Sequence, residues 1–353
     1  MEVRTSIAGV LFLFFPLTNL KFERINMNMN ITNKFKFNFN VSNPMKIGNI
    51  AVFGLTSTMQ TKEEYLCLPE ALKNNKALIS EVSDQGSVSH LLVKNFSSQT
   101  LLMVEGELIV STKNAKLLQD RVLNTSILVP AFKTVHVPVS CVEAGRWHHS
   151  SIKSHRFSVS EDFYFARGRM RKNEDVYYSS RIHGHKYSNQ QRVWQDIDEK
   201  LNKVDAYSST SSINVAYTRK RIEIEAVVRK FQAEPFDVGI IYGIGCNLIG
   251  CDIFNSNSIF KTYLPKILRS IYLDSYEHEK STSPLQKKDA LSLFKLIQQA
   301  QFEEHPAVGG EGIEVRANDH VLIATGLFDK DKTAVHFSAF IKDREVHDEF
   351  MVA

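Results

Sequence analysis

The sequence predicts an α+β fold, on three observations. From Met45 to about residue 141 the apolar residues come in short strand-like runs. Through the middle of the chain they recur at helical spacing. The last third reads hairpin, helix, helix, hairpin, with no internal repeat. A β-rich part over residues 45–155 and an α+β part over 156–353 are the expected units, able to pack as one compact body. Residues 1–44 are expected to be a low-complexity or disordered extension.

Ile7 to Leu17 is an apolar run of 11 residues behind a short stretch containing Arg4. It is long enough for the core of a signal peptide and too short to span a bilayer, and no small-x-small cleavage site follows. Phe22 to Asn43 is biased to Asn, Lys and Phe. Past Met45, Ile50, Val52 and Leu55 approximate a strand, and Pro69 to Lys76 fits a short helix with Pro at an early position. His90–Asn95, Thr100–Val104, Ser126–Val129 and Lys133–Cys141 read as strands, the first two joined as a hairpin through Asn95 to Gln99.

Beyond Trp147, residues 148–160 read as a loop and 161–181 as helical. Gln190 to Val204 carries the stripe Val193, Ile197, Leu201, Val204, with Ser188 or Asn189 as cap. Ile224, Val227, Val228 and Phe231 mark a further helix over 220–232. Val238 to Phe254 reads as a hairpin turned between Gly243 and Asn247. Ile259 to Tyr276 follows as a helix in which Pro265 predicts a kink or a late start. Ser283-Pro284 opens the next, to about Phe302, and Val321 to Ile341 closes the chain as a hairpin around Asp329 to Lys332.

Composition excludes some functions. The net charge of +4 over 353 residues is scattered, which is no footprint for nucleic acid or for a membrane surface. Cys67, Cys141, Cys246 and Cys251 make no CxxC pair, so a reducing, cytoplasmic compartment is expected. His148-His149 and His183-x-His185 lack the partners of a metal site, and no glycine-rich phosphate loop follows a strand.

The polar clusters sit at strand ends, where side chains from several strands converge on one mouth of a sheet. Glu105 and Glu107, one residue apart on an extended chain, point to one face. Such a pair can hold a divalent cation or work as acid and base. Gln119, Arg121 and Asn124 supply an anion fork and amides for a ligand's polar edge. Glu143 is a third acid candidate, Arg146 a second anion clamp, and Trp147 a stacking surface. Cys141 needs Arg146 or a histidine to become a nucleophile and otherwise reads as a small buried hydrophobe.

These segments resemble the family named for its association with ADP-ribosylglycohydrolases (ARG) and rhodanese-phosphatases. Val104-Glu105-Gly106-Glu107, Gln119 to Thr125, Val137 to Trp147, Gly250 to Phe254 and Leu264 to Asp274 carry the likeness. The string Cys141-Val142-Glu143-Ala144-Gly145-Arg146-Trp147 is its most specific part. The chain departs from the pattern with an insertion at Ser111 to Lys116 and with Asp120 where the family usually has Asn. The resemblance implies a place in ADP-ribose or NAD-linked metabolism, through the gene neighbourhood that the family name records.

Two functions follow as expectations. One is binding or processing of a nucleotide-like phosphorylated small molecule, by hydrolysis or transfer at an ADP-ribosyl or phosphoester bond. There Glu105, Glu107 and Glu143 are the catalytic candidates, and Gln119, Arg121, Asn124, Arg146 and Trp147 hold the ligand. The other is a non-catalytic binding or scaffolding protein. The two differ in whether these side chains converge on an open pocket or pair off and bury one another.

Overall fold

A computed structural model describes residues 25–31, 35–57, 64–83, 87–112, 118–145, 157–235, 237–277 and 285–342. In chain order the first strands are β1 (Ile25–Ile31), β2 (Phe35–Val41), β3 (Met45–Ile47), β4 (Ile50–Thr56) and β5 (Leu66–Cys67), followed by helix α1 (Leu68–Lys73). Next come β6 (Ala77–Glu81), β7 (His90–Asn95), β8 (Leu101–Met103), β9 (Glu107–Ser111), β10 (Arg121–Leu123), β11 (Ile127–Val129), β12 (Thr134–Cys141) and β13 (Phe157–Phe163). Four helices follow: α2 (Ala166–His183), α3 (Gln190–Lys203), α4 (Ile213–Arg219) and α5 (Arg221–Val228). The chain then runs through β14 (Asp237–Ile244), β15 (Asn247–Phe254), α6 (Asn257–Asp274), α7 (Lys287–Gln299), β16 (Glu303–Pro306), β17 (Ile313–Asn318), β18 (Leu322–Phe328) and β19 (Ala334–Ile341). The fold is α+β, as the periodicity predicts.

A ten-stranded antiparallel sheet runs β1-β2-β4-β14-β15-β19-β18-β17-β16, with β3 on the same edge of β4 as β2. A six-stranded sheet runs β13-β9-β10-β12-β7-β6, and β11-β8-β5 form a third, in which β5 and β8 are parallel. Helix α7 covers one face of the large sheet, with Leu293, Phe294 and Ile297 set against Phe53, Ile241, Ile253 and Phe337. The other face meets α6 and, through its polar row described below, α2. The two smaller sheets enclose a core of their own that includes Ile79, Val93, Met103, Leu123 and Val139.

Local chemistry explains most boundaries. The Asn189 side chain accepts from the Gln191 and Arg192 N–H groups and so starts α3. Ser256 caps α6 in the same way, through the Ile259 N–H. That helix runs through Pro265 rather than starting after it. Tyr263, Leu264, Ile267, Leu268 and Ile271 are buried along it, and packing of an apolar face outweighs one missing hydrogen bond.

Other expectations are corrected. Asn95 to Gln99 does not turn a hairpin: β7 pairs with β12 and β6, whereas β8 belongs to another sheet. The Asn95 side chain donates to the carbonyls of Gln99, Val129 and Pro130 and fixes that crossing. The helix expected over 220–232 is α5, ending at Val228, and a further short helix, α4, precedes it across Lys220. Part of the stretch read as loop and helix is the strand β13. The strands β16 and β17 were invisible to the period rule, because β17 turns Glu314 and Arg316 into the core. Gly309, Gly310 and Gly312 connect them with left-handed backbone that other residues resist.

The extension expected over residues 1–44 is not all outside the core. β2 pairs with β4, Phe39 stacks on Phe294 with ring centres 6.1 Å apart, and Val41 is buried beside it. Phe39 is only 3% exposed. Phe39→Ala should therefore cost about 3–5 kcal/mol in a denaturant titration. A change within about 0.5 kcal/mol, the range of surface substitutions, would show that β2 does not pack.

Candidate functional site

Helix α2 is the least expected part of the core. Its buried stripe is Arg169, Lys172, Asn173 and Val176, at the i, i+3, i+4, i+7 spacing that normally carries apolar residues. The sheet opposite answers in kind. Arg316 pairs with Thr325, Thr325 with Ser338 and Ser338 with Asp252, a row of buried polar residues across β17, β18, β19 and β15. Residues directly opposite on neighbouring strands share a face, so the row is continuous.

The inner half of this polar layer is a closed quartet. Arg169 binds Asp252 through both terminal nitrogens, at 3.1 and 2.7 Å, and Glu105 from Nε at 3.0 Å. Lys172 lies 2.7 Å from the second Glu105 oxygen and also donates to the carbonyls of Leu123 and Asn124. Phe163 and Phe340 present ring faces to the guanidinium at 5.2 and 5.1 Å. Burial alone would raise the Glu105 carboxyl, but Lys172 and Arg169 outweigh it and hold it below the ordinary carboxylate value. Asp252 is likewise held down against its burial, chiefly by Arg169.

A hydrogen-bond chain closes the ring. His336 Nε2 faces Asp252 at 3.2 Å, and its Nδ1 lies 2.8 Å from the Ser126 hydroxyl. In the tautomer that donates from Nε2 to Asp252, Nδ1 accepts from Ser126. Ser126 Oγ in turn accepts from the Glu105 N–H at 2.9 Å. Gly106 makes room for this. It turns at φ +91°, and a Cβ there would lie 2.7 Å from Arg169 Nε.

The outer half is different. Glu314 takes Lys186 at 2.7 Å and Arg316 on the same oxygen, and its other oxygen accepts from Thr125 at 2.7 Å. Two cations thus face one carboxylate. They hold Glu314 at about 2 although its burial would raise it. His305 stands opposite Glu314 in the β16–β17 register, half-buried. Burial first, then Lys186 and Arg316, lower its pKa and disfavour its charged form. Lys186 is 8% exposed, whereas Glu314 and Arg316 are fully buried. Arg316 Nη1, Ser338 Oγ and both amide atoms of Asn173 are buried without a hydrogen-bond partner among the described residues.

The residues expected from the sequence fall into three networks. Glu105 and Asn124 belong to the polar layer. The Asn124 side chain donates to the Lys186 carbonyl and accepts from Ser140. Glu107 does not join Glu105, because the intervening residues form a tight turn and not extended chain. It accepts from the Val104 N–H, Tyr263 and Lys266 instead, and burial raises its carboxyl despite Lys266. The two do not frame a shared cation. Among the described residues no group of three or more His, Cys, Asp and Glu side chains could hold a metal ion.

The third network gathers around β10 and β12. Arg121 donates to the Gln119 carbonyl at 2.9 Å and lies 3.7 Å from Glu81. Gln119 donates to the Glu143 carbonyl, and Glu143 accepts from Thr210 at 2.7 Å. Burial raises the Cys141 thiol, so it stays protonated. Arg146, Trp147, His148 and His149 lie outside the described residues. Glu105, Glu107 and Glu143 are all fully buried.

A family model for the ARG and Rhodanese-Phosphatase-superfamily-associated Protein domain matches residues 38–340. The chain belongs to that family. The match opens inside β2 and ends inside β19, so the family domain takes in both halves of the polar layer. No curated protein and no solved structure matches the chain. No helix among the described residues is long and apolar enough to cross a membrane.

Reasoning from sequence missed Arg169, Lys172, Lys186, Asp252, His305, Glu314, Arg316 and His336. The legible signals were Arg169, Lys172 and Asn173 at three successive positions of a helical stripe that Val176 completes, and Glu314-x-Arg316 alternating inside a strand.

Two measurements test this geometry. Arg169→Met leaves Asp252 buried without its arginine and Glu105 with Lys172 alone, and should cost about 3–5 kcal/mol in chemical denaturation. Glu314, lowered from its usual value to about 2, contributes stability that is full above pH ~4.5 and lost as pH falls toward 2. The stability gap between wild type and Glu314→Gln, on the order of 3 kcal/mol near pH 7, should close across that window. A gap independent of pH would rule out the lowered carboxyl.

Proposed function

We propose that the chain binds a small phosphorylated, nucleotide-like molecule, and that the outer half of the polar layer receives its phosphoryl group. One observation carries this reading. Lys186 and Arg316 face a single carboxylate, and the buried Arg316 Nη1 has no hydrogen-bond partner among the described residues. A buried guanidinium with a free N–H edge is matched by a phosphate or carboxylate oxygen. His305, disfavoured in its charged form, is the group beside this pair able to take or give a proton. Hydrolysis or transfer at a phosphoester or ADP-ribosyl bond is the chemistry such a set serves. Gln119, Arg121, Arg146 and Trp147 would then contact the rest of the ligand. The family's association with ADP-ribosylglycohydrolases supports the same substrate class.

The inner quartet favours a second reading. Arg169 and Lys172 are balanced by Glu105 and Asp252, with no surplus charge, as in a network that joins layers and does no chemistry.

A thermal-shift series separates the two. ADP-ribose, NAD, AMP and inorganic phosphate, each with and without a divalent cation, should raise Tm with concentration in the wild-type protein. Lys186→Met should weaken that binding by about 1–3 kcal/mol, the scale of a charge-assisted hydrogen bond. If no phosphorylated ligand moves Tm, the structural reading stands and the binding proposal falls.

A further inference from the structure

A cavity away from the polar layer is walled in part by α6. It holds about 660 Å³ between the β2–β4 edge, α6 and the segment ahead of β14. It shares no lining residue with the polar layer. Its floor is apolar, formed by Val52, Phe231, Ile240, Phe260 and Leu264. Volume and lining fall within the range of small-molecule sites.

At one end stands Asp237, 6% exposed. One of its oxygens accepts from the Glu234 N–H at 2.8 Å. No cation among the described residues forms an ion pair with it, which sets it apart from Glu105, Asp252 and Glu314. The Asn257 amide donates to the backbone carbonyls of Glu234 and Asp237 and pins the turn that carries the acid. Gly54 lies opposite and adds no side chain between the carboxylate and the cavity; a Cβ there would come to 3.4 Å from both Asp237 oxygens. A buried carboxylate without a counter-charge is costly unless a partner arrives.

We propose that this cavity binds an amine with an apolar body, its ammonium group paired with Asp237. The apolar floor takes the body, and the ammonium supplies the direct ion pair that Asp237 lacks; Lys261 acts on the carboxyl only from beyond ion-pair distance, and Lys287 stands elsewhere on the cavity lining. Burial pushes the Asp237 carboxyl up to about 6, which leaves it ionised at pH 7.5 and able to accept the pair. The proposal is independent of the phosphoryl site and uses none of its residues.

The test uses tryptamine and its neutral counterpart indole-3-ethanol, titrated into the full chain at pH 7.5 by calorimetry. Tryptamine should bind at least tenfold more tightly than the alcohol. Asp237→Asn keeps an acceptor for the Glu234 N–H, and should bring tryptamine down to the level of the alcohol. Should that variant fail to fold, the wild-type comparison of amine with alcohol decides alone. Equal binding of the two probes, no binding of either, or undiminished tryptamine binding by folded Asp237→Asn would overturn the proposal.

Discussion

The whole arrangement depends on one buried guanidinium. Arg169 reaches from α2 to a loop of the small sheets through Glu105, and to the central strand β15 of the large sheet through Asp252. Three layers that could otherwise slide on apolar surfaces are thereby held in one register. Removing a guanidinium from water is costly, and only directed carboxylates offset it. The fork shape of arginine matters here, since one side chain serves two acids at fixed angles, which an ammonium does less well. Gly106, the left-handed turn and the two flanking phenylalanine rings are all conditions for that one placement.

Charge balance then divides the polar layer by role. Around Arg169 and Lys172 every charge is met inside the protein. Around Glu314 it is not, because Lys186 and Arg316 share one carboxylate. A self-neutralised cluster gains nothing from an incoming ion. Lys186, on the chain between α2 and α3, and Arg316 leave one positive charge in excess around Glu314. The same physical rule therefore yields a self-neutralised cluster at one end of the layer and an unbalanced one at the other.

Much of the fold was legible, because strand alternation and helical stripes report burial of apolar faces. The β14–β15 and β18–β19 hairpins and helices α3, α6 and α7 follow from that pattern, with small shifts at their ends. What escaped was polar residues facing inward. Residues 161–181 read as helical, but Arg169, Lys172 and Asn173 left no apolar stripe to mark the inner face of α2, and Glu314 with Arg316 hid β17. Glu105 and Asn124 were singled out at strand ends and do lie in the layer. Their partners Arg169, Lys172 and Lys186 come from 62 to 67 residues further on, and no local pattern reports such pairings. The Glu105–Glu107 pairing failed for a local reason, since alternation holds only on extended chain and Gly106 turns it.

The order of strands in the large sheet has a temporal consequence. β4 finds its neighbour β14 only after the small sheets and five helices have intervened, and β15 is flanked on its far side by the last strand, β19. His336, which closes the hydrogen-bond ring, sits on that last strand. A nascent chain on the ribosome thus carries Arg169, Glu105 and Asp252 long before their surroundings are complete. Contacts this distant in sequence slow folding, since the loops must close before any contact rewards them. The ring through Glu105, Arg169, Asp252 and His336 therefore cannot close before the last strand is in place.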